Sequence, residues 1–279
     1  MEERSLRSRL FALLRTVGYA LAVMLAVWVL QLVAGMVLDR SWSNLEALIA
    51  TGVAGVAAIS AVNLLLARFL RPPSPWSGWR SRRGGLKGFA RGAAMGLLMA
   101  GGVILVLLLA GNASIRFEGP GLPRYALALL PASLALLPAA LWEELLFRGY
   151  PLAALSRAVG VLGAAFATAL LFSLVHSAAG PYPIATVNIF LIGLILAQVR
   201  LGPGGMPAAW GLHFAWNLLL LLSGAEISGG DFAPKGMVYS VTGPVWLTGG
   251  GFGPEGSVVT SCVALVTSVL LLVRSTRPE

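Results

Sequence analysis

Eight apolar runs divide this chain, at roughly 16–38, 45–67, 89–110, 124–147, 161–179, 183–200, 206–222 and 257–273. Each approaches the roughly 20 apolar residues that an α-helix needs to cross the hydrocarbon of a bilayer. A segment in lipid has to satisfy its backbone N–H and C=O groups internally, so runs of this kind form helices. Of the 279 residues only 11% are charged, against about 25% in soluble domains. The chain reads as an all-α membrane protein with about eight transmembrane helices in one bundle. Residues 1–279 form a single integral membrane domain, with little room for a separate soluble one.

The formal net charge of +9 raises the question of nucleic acid, but the basic residues are sorted by loop. With the amino terminus inside, 16 of the 20 basic residues fall in cytoplasmic segments, and only Arg40, Arg116, Arg124 and Lys235 face the other side. The positive-inside rule explains this bias and sets both termini in the cytoplasm. The bilayer is therefore the partner of these charges, and no nucleic acid is needed to account for them. A first apolar run of about 23 residues is too long for the h-region of a removable signal peptide. Cys262 is the single cysteine, which leaves neither an intrachain disulfide nor a cysteine metal cluster.

Two connecting segments stand out. Residues 68–85, RFLRPPSPWSGWRSRRGG, read as a cytoplasmic loop whose prolines break helix and whose tryptophans suit the headgroup region. Residues 223–256 contain ten glycines and read as the longest outer loop. Its apolar pieces, MVYSV and PVWL, are expected as short strands or interfacial dips, in a structured loop rather than a substrate lid.

Against this background the adjacent carboxylates Glu143 and Glu144 are anomalous. They sit in ALALLPASLALLPAALWEELLFRGY, residues 126–150, whereas the other Asp and Glu residues fall in segments readable as loop or tail, Glu46 at the very edge of its run. A carboxylate in hydrocarbon costs about 3 kcal/mol even on forgiving insertion scales. On a helix Glu144 and Arg148 share a face at i,i+4, so Arg148 can neutralise Glu144 while Glu143 points elsewhere. The only two histidines also lie in apolar runs: His176 ends FSLVH, 172–176, and His213 opens HFAWN, 213–217, one turn from Asn217.

A carboxylate and a histidine can hold a water and take its proton. A second histidine and an asparagine amide one turn apart can donate to a developing oxyanion. That set describes a water-attack peptidase without a covalent intermediate. Two His and one Glu also match a catalytic zinc set, although HExxH is absent from the chain. Buried Glu and His serve proton relays as well, so a proton-coupled transporter is the reading from another class.

One geometric difficulty accompanies every version. At 1.5 Å per residue, Glu143 lies about 28 Å from an entry at 124, and His176 about 22 Å from an opposite entry at 161. In a core of about 30 Å these depths are near opposite faces. The two residues meet only if the fourth helix starts later, near Pro131, and the fifth is tilted or begins deeper. Gly149-Tyr150-Pro151 and the LAALSRAVG stretch that follows read as an elbow that would allow it.

In order along the chain, EELLFR (143–148), FSLVH (172–176) and HFAWN (213–217) resemble the three motifs of the CPBP family, the CAAX proteases and bacteriocin-processing enzymes also called the Abi family. Its patterns are EExxxR, FxxxH and HxxxN or HxxxB. The resemblance covers roughly 125–222, the expected catalytic core. It implies an eight-helix intramembrane endopeptidase in which Glu143 activates water with His176, His213 and Asn217 form the oxyanion hole, and Glu144 and Arg148 support the site. The family has been described both as metallo- and as glutamic-type; no obligatory cofactor is expected here. Zinc is the possible metal, with Glu143, His176 and His213 as its ligands. The implied substrate is a membrane-associated protein or peptide, cut near its carboxy terminus or membrane-proximal part. The expected location is a bacterial inner membrane, and a non-catalytic scaffold or immunity protein of the same fold is the remaining alternative.

Overall fold

The computed structural model describes residues 6–38, 43–69, 82–119, 121–177, 180 and 182–275. Helices α1 (Leu6–Leu38), α2 (Asn44–Phe69) and α3 (Arg82–Leu109) precede strand β1 (Ala113–Phe117). Then come α4 (Leu122–Glu144), a π-helical turn (Leu145–Gly149), α5 (Tyr150–His176), α6 (Pro183–Leu201) and α7 (Gly205–Ser223). Strand β2 (Met237–Val241), the single turn α8 (Val245–Thr248) and α9 (Val258–Ser275) complete the chain. Residues 70–81 of the basic Pro/Trp segment lie outside the described residues, as do the chain ends and Arg40.

Six helical stretches are long and apolar enough to cross a membrane, and α9 is apolar but shorter. Large apolar side chains such as Leu25, Trp28, Leu98 and Leu162 point outward, as lipid-facing helices require. The protein is a multi-pass helical membrane protein. The sequence count of eight differs from six because the stretch Leu122–His176 contains two of the runs. Helix continues through the π turn and breaks at Gly160, whose φ of 81° and ψ of 166° are not helical. The other difference is the length of α9.

The long loop after α7 is ordered. MVYSV is a strand, β2, paired antiparallel with β1 in the register Ala113↔Val241 to Phe117↔Met237. Of the two forms expected for PVWL, a short strand or an interfacial dip, the strand is not formed: Val245–Thr248 is the helical turn α8.

Helices α3 and α7 pack backbone to backbone, and glycine explains it. Gly88, Gly92 and Gly96 recur every fourth residue on α3, and a Cβ at Gly92 or Gly96 would collide with the backbone of Ala208 or Leu212. Gly211 on α7 returns the favour against the backbone of Phe89. Small residues at this spacing let helix backbones approach closely in membranes, where packing rather than water expulsion holds helices together. Through this contact α3 fixes the height of α7, which carries HFAWN.

Candidate active site

Gly160 resolves the depth difficulty. The fourth helix starts at Leu122 and not near Pro131, so the later start is not how Glu143 and His176 meet. Instead the helical stretch runs on past Glu143 through Leu145–Gly149, leaves helical geometry at Gly149 and resumes over Tyr150–Val159 before the break at Gly160. Glu143 is 17 residues before Gly160 and His176 is 16 residues after it. Facing pairs repeat this symmetry: Phe147 meets Phe172 with ring centroids 5.2 Å apart, and Leu155 shares an apolar cluster with Ala164. The elbow read at Gly149–Tyr150–Pro151 is the first part of this hairpin, with Gly149 at ψ −119° and Pro151 in the first turn of α5.

The three motifs converge. Glu143 Oε2 lies 3.7 Å from His176 Nε2 and 3.8 Å from His213 Nε2. Both separations exceed hydrogen-bond length, and Glu143 Oε2 is buried with no hydrogen-bond partner among the described residues. Each imidazole is oriented from its other nitrogen. His176 Nδ1 is 2.8 Å from the carbonyl of Phe172; a carbonyl can only accept, so Nδ1 carries a proton, and in the neutral imidazole Nε2 is then the acceptor that faces Glu143. His213 Nδ1 is 2.9 Å from Glu144 Oε1.

Glu144 is therefore shared. The same oxygen takes Arg148 Nη1 at 3.1 Å, with both side chains fully enclosed, while Glu143 is 23% exposed. Only Glu143 of the pair lines the cavity. Arg148 also donates through Nη2 to the carbonyl of Gly193 at 3.2 Å and stacks 4.3 Å over the ring of Phe172. The π turn holding Arg148 matches a general tendency of π-bulges to occur at functional sites.

Glu143, His176, His213 and Asn217 line one cavity of about 200 Å3, walled by apolar groups such as Leu136, Phe172 and Ile192. Asn217 is one turn beyond His213, and its amide has no hydrogen-bond partner among the described residues. The donor types Glu143, His176 and His213 would suit zinc. As placed, however, no group of three His, Cys, Asp or Glu residues among the described residues is arranged to hold a metal ion.

The sequence reads Glu255 as a loop carboxylate, yet it is 3% exposed and lines the cavity together with Ser228 and Phe232. The available signal was an acidic residue bracketed by glycines in GGGFGPEG, inside a loop longer than a plain connection needs.

Residues 125–219 match a family model described as type II CAAX prenyl endopeptidase Rce1-like. A search of curated proteins returns no match. The matched segment contains all three motifs and every cavity residue that they supply. Over residues 125–219, then, this chain is similar to the CPBP family, a family of CAAX-type proteases.

Proposed function

We propose that this protein is an intramembrane endopeptidase that hydrolyses a peptide bond with water activated by Glu143 and His176. The observation that carries the proposal is the pair of facing acceptors, Glu143 Oε2 and His176 Nε2, 3.7 Å apart at the cavity. A water between them donates one hydrogen to each and turns its lone pair towards the substrate. As water oxygen attacks the scissile carbonyl carbon, Glu143 takes a proton. The carbonyl oxygen becomes the oxyanion and accepts from Asn217 Nδ2 and from His213 Nε2–H. The latter role requires a doubly protonated His213, whose charge Glu144 balances through Nδ1–H. Collapse of the tetrahedral species breaks the C–N bond, and the proton passes to the leaving amine.

In this reading Glu144 and Arg148 hold His213 and do not touch substrate. No obligatory metal enters any step. The substrate is a membrane-associated protein or peptide cut near its carboxy terminus or membrane-proximal part, and the enzyme resides in a bacterial inner membrane. Eight spans with both termini in the cytoplasm follow if the hairpin at Gly160 supplies two and α9 a further one. Residues 125–222 form the catalytic core of one membrane domain. Terminal proteomics with Glu143 and His176 variants tests the reading; cleavage retained in both Glu143→Ala and His176→Ala would remove it.

A further inference from the structure

Glu255 has both carboxylate oxygens hydrogen-bonded, and the reaction above makes no use of it. Its Oε1 accepts from Trp216 Nε1 at 2.9 Å. Its Oε2 accepts from the backbone N–H of Ser228 and, at 2.9 Å, from the Ser228 hydroxyl. Its main-chain carbonyl accepts from Asn188 Nδ2 at 2.7 Å, and the same amide holds the carbonyl of Ser257 at 2.7 Å. With both oxygens engaged, Glu255 is no base. It joins three elements: α6 through Asn188, α7 through Trp216, and the loop after α7 through Ser228.

What that loop does is set by its turn. Ile227 and Gly230 exchange two backbone hydrogen bonds of 2.9 Å. Between them Ser228 has φ 49° and Gly229 φ 80°, the left-handed pair of a type I′ turn. Ser228 is the one non-glycine residue with positive φ among the described residues, a conformation kept only where surroundings impose it. The imposing group is Glu255. Ile227, Ser228 and Gly230 of the turn line the same cavity as Glu143, with Phe232 just beyond them.

We propose that Glu255 is a positioning residue that clamps the Ile227–Gly230 turn onto Trp216 as the ceiling of the substrate cleft. The turn follows directly from the helix carrying His213 and Asn217. Glu255 thereby fixes where a substrate chain can lie relative to the proposed oxyanion donors. The catalytic consequence rests on the peptidase reading; the clamp itself does not.

Ala139 lies buried at the cavity wall and reports on the ceiling. Full-length protein with Cys262→Ala and Ala139→Cys, reconstituted in nanodiscs, is reacted with a water-soluble maleimide. Glu255→Ala is expected to raise the labelling rate at least tenfold, and Glu255→Gln, which can satisfy only one side of the clamp, to give an intermediate rise. In cleavage assays both variants raise KM more than they lower kcat, whereas a purely structural defect lowers the active fraction and leaves KM alone. Unchanged labelling in both variants, or a loss confined to kcat, overturns the clamp. Absence of any cleavage by the wild type removes the peptidase reading while the labelling rates still decide this one.

Discussion

Glu143 and His176 sit 17 and 16 residues on either side of Gly160 and come within 3.7 Å of each other across the hairpin it creates. The hairpin is what turns three short motifs into one site. It brings the end of EELLFR against FSLVH through Phe147–Phe172 and stacks Arg148 over Phe172. α7 then closes the group, with His213 touching both glutamates.

Gly160 has φ 81° and ψ 166°, a region open essentially to glycine alone. Gly160→Ala is expected to destabilise the protein by about 1–3 kcal/mol and to lower cleavage by shifting Glu143 against His176. Nothing lies within 4 Å of a Cβ built there, so the loss would come from backbone strain and not from a clash. Thermal unfolding in nanodiscs measures it, and unchanged stability would contradict this account of the hairpin.

Arg148 and Glu144 form a pair with no exposure. Removing one partner of such a pair leaves an uncompensated buried charge, at a cost of about 3–5 kcal/mol. Arg148→Ala should therefore lose this much stability. Arg148→Lys should recover only part, because one ammonium has to replace two guanidinium nitrogens that reach Glu144 and the Gly193 carbonyl separately. Denaturation of the two variants side by side checks the order.

Gly92 meets the backbone of Ala208, which cannot move aside as a flexible side chain would. Gly92→Val is expected to cost about 1–3 kcal/mol by overpacking and to reduce activity further by displacing α7 with His213 and Asn217. Gly102, with open space around it on the same helix, is the control: Gly102→Ala should leave both properties near wild type.

Much of this was readable from the sequence, and for identifiable reasons. Apolar runs announce membrane helices through composition alone, and the i,i+4 spacings of Glu144–Arg148 and His213–Asn217 announce shared faces. Depth was not readable, because an apolar run does not reveal that helix continues beyond the membrane-length segment to Val159. The bond from His213 to Glu144 was equally hidden, since nothing in residue spacing says which carboxylate a histidine on another helix will meet. Glu255 escaped because its partners, Trp216, Ser228 and Asn188, are 39, 27 and 67 residues away.

Chelation separates the two mechanisms proposed for the family. Activity of the purified protein is expected to survive EDTA treatment followed by removal of the chelator, with no zinc retained at stoichiometric level by elemental analysis. Loss of activity that added zinc restores would assign Glu143, His176 and His213 to a metal instead.

The most direct test is to compare protein termini in membranes of cells carrying the wild type with those carrying Glu143→Gln. The substitution keeps the size of the side chain and removes the base. A set of new carboxy or amino termini is expected to appear with the wild type and to vanish with Glu143→Gln at equal protein abundance. The same termini in both cell lines would contradict the assignment of Glu143 as the group that activates water.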